Sequence, residues 1–60
     1  MAKKINKNSP VTKENMVALL VQEGYNLANT EVLVDTWFKK MVSAHPEDNI
    51  KELAYYFKHL

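Results

Sequence analysis

The sequence predicts an all-α fold, a small three-helix bundle that follows a flexible basic N-terminal arm. Three segments carry apolar residues at helical spacing, each segment has a recognisable start signal, and no segment alternates as a strand does. Sixty residues allow one domain, and 47% apolar with 25% charged residues is a globular composition. The absence of cysteine excludes a disulfide-stapled scaffold and a cysteine-based zinc module.

Residues 1–11 are predicted to form the flexible arm, and residues 12–60 the folded domain. The arm has no sustained apolar period, and it contains three lysines and no acidic residue. The formal net charge of +1 is therefore a sum of two unlike parts. Residues 1–12 carry three lysines, whereas residues 13–60 carry five lysines against seven acidic residues, which makes the predicted domain mildly acidic.

The first helix is predicted over residues 13–23. Thr12 is a typical N-cap, Glu14 suits the positive end of the helix dipole, and Gly24 is the natural stop. Met16, Val17 and Leu20 share one face at 100° per residue.

The second helix is predicted over residues 30–44. Asn29 or Thr30 would cap it, and Pro46 requires it to end by His45. Two adjacent apolar stripes run along it: Leu33, Trp37, Met41 and Ala44 form the first, and Val34, Phe38 and Val42 form the second.

The third helix is predicted over residues 46–59, because proline suits the first helical position and Glu47 and Asp48 follow in the first turn. Its apolar face consists of Ile50, Leu53, Ala54, Phe57 and Leu60. The centre of the bundle is predicted to consist of Leu20, Leu33, Trp37, Met41, Leu53 and Phe57.

No catalytic or cofactor-binding constellation is present in the sequence. His45 and His59 are the only histidines and lack metal-ligand spacing, and a single glycine excludes a glycine-rich phosphate loop. Ser9 and Ser43 have no base and acid near them in the sequence. We therefore expect a protein that is not an enzyme and that uses no metal or cofactor.

Protein binding is the function that the sequence favours. The two stripes cover about 180–200° of the second helix, which is wide for a helix that contacts two neighbours. We expect a regulatory or accessory protein, of inhibitor or adaptor type, that binds another protein or a second copy of itself as a homodimer. The predicted contact residues are Val34, Phe38, Val42 and Tyr55.

Nucleic-acid binding is the alternative, because lysines can neutralise phosphates and an exposed tyrosine can stack on bases. The predicted phosphate contacts are Lys3, Lys4, Lys7, Lys51 and Lys58. The absence of arginine disfavours a reader of guanine edges. No membrane role is expected, since the longest apolar run, residues 16–21, is far below the roughly 20 residues of a membrane span, and we expect a cytoplasmic protein.

Overall fold

Three helices pack pairwise against one another in the computed structural model, which describes residues 4–60. They are α1 (Lys13–Gln22), α2 (Leu27–Ala44) and α3 (Ile50–Lys58). The described residues contain no strand. The predicted three-helix bundle is therefore confirmed.

Helix α1 has the ends that the sequence predicts. The Thr12 side chain accepts a hydrogen bond from the backbone N–H of Asn15, three residues further on, at 3.0 Å. At the other end, the N–H of Tyr25 donates to the carbonyl of Leu20 at 3.1 Å. Gly24 has φ +105°, the left-handed conformation that this type of helix stop requires and that glycine adopts without strain.

Helix α2 begins at Leu27, three residues before the predicted start at residue 30. The cap is Asn26, whose side-chain oxygen accepts the N–H of Asn29 at 3.0 Å and whose carbonyl accepts the N–H of Thr30 at 2.9 Å. The prediction failed because Asn26 and Asn29 are equally suited to capping. The predicted end before Pro46 is confirmed.

Helix α3 begins at Ile50 and not at Pro46, so the predicted range of residues 46–59 is wrong at its start. Asn49 and Glu52 form a reciprocal capping box, in which each side chain accepts the other residue's backbone N–H at 2.9 Å. Two satisfied N–H groups fix the helix start more firmly than a proline, which has no N–H to satisfy. Pro46 instead lies in the turn that joins α2 to α3.

The core combines residues from all three helices with one residue from the N-terminal segment. The buried apolar residues are Ile5, Met16, Leu19, Leu20, Val34, Ile50, Leu53, Ala54 and Phe57. Of the six residues predicted to form its centre, Leu20, Leu53 and Phe57 are buried. Leu33 and Met41 are half-buried against the core, and Trp37 is exposed to solvent.

The N-terminal segment is not a free arm over its whole length. Ile5 is only 4% exposed, and the Gln22 side chain holds its backbone. The N–H of Ile5 donates to the Gln22 amide oxygen at 3.1 Å, and the Ile5 carbonyl accepts from the amide nitrogen at 3.3 Å. The prediction that residues 1–11 lie outside the domain is therefore wrong at Ile5, whose burial covers one side of the core.

Candidate interaction surfaces

The predicted contact residues of α2 face the interior of the protein. Val34 is 1% exposed and belongs to the core, so it is corrected from a contact residue to a structural one. Phe38 and Val42 are half-buried and pack against the same core. The physical reason is the rotation of α2, which turns the line of Thr30 and Val34 inward. Tyr55 alone of the four predicted contact residues is well exposed.

The rotation of α2 exposes the edge that carries the only tryptophan of the sequence. Trp37 is 36% exposed, and the Lys40 ammonium lies 5.3 Å from the centre of its ring. A cation at this distance from an indole is attracted to the ring, by about 0.5–1 kcal/mol at an exposed site. The surrounding depression of about 490 Å³, called here the Trp37 surface, is lined by Thr36, Trp37, Lys39, Lys40 and Ser43.

A second depression brings together residues that lie far apart in the sequence. It has a volume of about 470 Å³ and lies between the N-terminal segment and α3. Lys7, Lys51 and Tyr55, all predicted contact residues, line it together with Asn49, Glu52 and Tyr56. We call it the Lys7 surface.

The other predicted phosphate contacts are not part of the Lys7 surface. Lys58 forms an ion pair with Glu23, which joins the end of α3 to the end of α1. Lys4 is exposed, and Lys3 lies outside the described residues. The structure thus places Lys7 and Lys51 on one surface, whereas Lys58 is paired with the carboxylate of Glu23.

A third depression, of about 560 Å³, runs between α1 and α2. Val17 and Val34 contribute apolar surface to it, and Lys13 and Asp35 form an exposed ion pair at 3.0 Å across it. Its charged lining consists of one lysine and three carboxylates, those of Glu14, Glu31 and Asp35, so the groove is net acidic and disfavours an anionic ligand.

The turn between α2 and α3 is fixed by an aromatic contact. The His45 ring stacks on the Tyr56 ring with centres 3.9 Å apart and an angle of 10° between the planes. Asp48 lies 3.6 Å from the His45 Nδ1. The negative charge of Asp48, reinforced by partial burial of the phenol, raises the pKa of Tyr56 above its ordinary value of 10.0.

Within residues 4–60, no group of three or more histidine or acidic side chains is placed to hold a metal ion. None of the helices in this part of the chain has the length and apolar character needed to cross a membrane.

Comparison with known proteins identifies the family. All of residues 1–60 match the protein family described as "Family of unknown function (DUF7421)", and the chain belongs to that family. No curated protein and no solved structure shows a significant match to the chain. The surfaces described above therefore carry the functional argument.

Sequence reasoning misplaced Trp37 because α2 has two competing apolar stripes. The stripe through Leu33 and Trp37 contains the larger side chains, and the prediction placed it at the centre of the core. The signal that would have reversed the choice is Thr30, which continues the Val34 and Phe38 line one turn toward the N-terminus and is itself buried.

Proposed function

We propose that this protein is a small non-enzymatic regulatory or accessory protein of the cytoplasm that acts by binding another protein through the Trp37 surface. The observation that carries the proposal is the exposure of Trp37 on a helix whose other side already completes the core. Tryptophan is among the residues most enriched at the energetic centres of protein interfaces.

The chemistry of the Trp37 surface indicates what kind of partner fits it. Its lining contains Lys39 and Lys40 and no acidic residue. A complementary surface has an apolar pocket for the indole ring and carboxylates around that pocket. A second copy of the chain, docked with the same surface, would bring four lysines together, so a different protein is the better partner.

The cation–π contact prepares Trp37 for binding. A ring that Lys40 already holds loses less conformational freedom when a partner covers it. The small size of the domain adds a second argument, because one core of this size supplies only about 3–5 kcal/mol and a partner adds to it.

The proposal is tested by capture from the native host with the tagged chain and two matched variants. Trp37→Ala removes the proposed anchor, whereas Tyr25→Ala removes an exposed aromatic ring from the loop between α1 and α2. We expect a protein that the wild type and Tyr25→Ala capture equally. Its affinity for Trp37→Ala should be weaker by a factor of about 30 or more, as for an interface hot spot of about 2 kcal/mol.

Circular dichroism first establishes that both variants are folded. A partner that binds Trp37→Ala as tightly as the wild type contradicts the proposal. Sedimentation of the purified chain measures self-association. If the wild type is a dimer and Trp37→Ala is a monomer, the partner is a second copy of the chain, and the proposal of a different partner protein is wrong.

A further inference from the structure

The turn that precedes α1 places Lys7 at a defined position. The Asn6 N–H donates to the Ser9 hydroxyl at 3.1 Å, and the Ser9 N–H donates to the Asn6 carbonyl at 3.0 Å. The Asn8 N–H adds a bond to the Asn6 side chain at 2.9 Å. Ile5, buried in the core, anchors this turn to the folded domain.

Helix α3 and its N-cap residue, Asn49, contribute the other residues of the Lys7 surface. Lys51 lies in its first turn, and Tyr55 lies one turn further along the same exposed side. The spacing of four residues aligns the two side chains along the helix. A cation from the N-terminal turn and a cation from α3 thus border one depression with an exposed phenol ring.

The Tyr55 ring is both exposed and supported. It is 59% exposed, and it contacts the His59 ring with centres 4.4 Å apart and the Tyr56 ring edge-on at 5.9 Å. Two aromatic neighbours restrict its orientation while most of its surface stays open. Such a ring offers a platform on which a flat aromatic ligand can stack.

The charge of the depression favours an anion by a small margin. Its lining holds Lys7 and Lys51 against a single carboxylate, that of Glu52. An oxygen of that carboxylate already accepts the Asn49 N–H at 2.9 Å in the capping box. Two lysines beside a stacking ring match a ligand that alternates phosphates with flat bases.

We propose that the Lys7 surface binds a short single-stranded stretch of nucleic acid. Tyr55 stacks on one base, and Lys7 and Lys51 neutralise the phosphates on its two sides. Duplex nucleic acid is not a ligand, because its bases are stacked on one another and leave no face for Tyr55. This activity is separate from the proposed protein binding, since Trp37 is not part of the Lys7 surface.

The test measures binding of a fluorescein-labelled oligothymidylate of about ten nucleotides by fluorescence anisotropy, starting at low salt. We expect the logarithm of the binding constant to fall with the logarithm of salt concentration with a slope of about −1.4, because each of two phosphates contributes about −0.7. Lys7→Gln and Lys51→Gln should each reduce the slope by about half.

The aromatic contact is tested with three variants of Tyr55, each first shown by circular dichroism to be folded. Tyr55→Ala and Tyr55→Leu should weaken binding by about 5- to 150-fold, the range for loss of one base stack, whereas Tyr55→Phe should retain it. Tyr25→Ala is the matched control, because it removes an exposed ring that is not part of the Lys7 surface and should leave oligonucleotide affinity unchanged. The protein-binding proposal is tested separately, by the partner capture of Trp37→Ala, so either proposal can fail without the other.

Three results would overturn the proposal. The first is no binding of the oligothymidylate at low salt. The second is binding that Tyr55→Ala and the two lysine variants leave unchanged. The third is equal binding of polyglutamate, a flexible polyanion without bases, which would reduce the Lys7 surface to a patch of general positive charge.

Discussion

Helices α2 and α3 pack against the same core but contribute to it in different ways. Helix α3 has nine residues, four of which are buried on one face: Ile50, Leu53, Ala54 and Phe57. Helix α2 has 18 residues, yet only Thr30 and Val34 are buried, and four further apolar residues are half-buried beside them. The shorter helix has one compact buried face and a separate polar outer face, whereas the longer one carries more apolar surface than the core accepts.

The difference between the two helices distinguishes apolar residues that stabilise the core from apolar residues that are free to bind a partner. A helix with a single apolar face has one favourable orientation toward the core. A helix with two adjacent stripes buries one of them and displays part of the other. On α2 the displayed part includes Trp37, the apolar residue of the Trp37 surface, and its exposure is the basis of the proposed protein binding.

Phe57→Ala is the variant with the largest expected effect on stability. Removal of a buried phenylalanine costs about 3–5 kcal/mol, which equals the whole stability expected of a domain of this size. We expect Phe57→Ala to lose its helical circular dichroism signal at room temperature. A variant that remains folded, with a loss below about 1 kcal/mol, would show that α3 is not the main packing element.

Trp37→Ala should cost clearly less, about 1–2 kcal/mol, although it deletes a larger side chain. The residue Trp37 is already 36% exposed to water, so no enclosed cavity forms when the ring is removed. Urea unfolding followed by circular dichroism measures the loss. A loss equal to that of Phe57→Ala would place Trp37 in the core and remove the contrast between the helices.

The two helix caps should differ by a smaller amount. The double variant Asn49→Ala/Glu52→Ala removes both bonds of a reciprocal capping box, while Asn26→Ala removes a single side-chain bond at the start of α2. A lost cap costs about 1 kcal/mol, and the double variant should exceed Asn26→Ala by a few tenths of that amount. Thermal unfolding of the two variants makes the comparison, and the reverse order would show that the α2 cap is the stronger.

The turn that links the two helices has the smallest expected effect, a dependence on alkaline pH. The pKa of Tyr56 is raised above 10.0 in the folded chain, chiefly by Asp48, so the unfolded chain loses this proton first as the pH rises. The associated stability is complete below pH 10.0 and is lost as the pH rises through the folded pKa.

Asp48→Asn tests that cause. The substitution removes the negative charge, and we expect the Tyr56 ionisation, followed by tyrosinate absorbance, to move to lower pH. Tyr56→Phe identifies which part of the titration belongs to this residue. An unchanged midpoint in Asp48→Asn would show that the carboxylate does not act on the Tyr56 phenol.

The contrast between α2 and α3 also explains which features the sequence could predict. The buried face of α3 follows from its single stripe, and the ends of α1 follow from Thr12 and Gly24, which are local signals. The orientation of α2 does not follow, because two stripes satisfy the same periodicity and only packing against both neighbours decides between them. Tertiary contacts, not local preference, exposed Trp37.

The Lys7 surface shows a different limit of sequence reasoning. Lys7, Lys51 and Tyr55 were each predicted as contacts, but no sequence pattern indicates that Lys7 lies close to Lys51 and Tyr55 in the folded chain. Their meeting depends on the burial of Ile5, a lone apolar residue among polar ones that has no periodicity to reveal its role. The hydrogen bonds from Gln22 complete an anchor that becomes visible only in the folded chain.

Acrylamide quenching of tryptophan fluorescence tests the central claim most directly, because Trp37 is the only tryptophan. In the isolated folded chain we expect red-shifted emission that acrylamide quenches readily. Addition of the captured partner should shift the emission to the blue and protect the ring from acrylamide. Blue-shifted, poorly quenched emission from the isolated chain would contradict the account, because Trp37 would then be a core residue and not a surface held open for a partner.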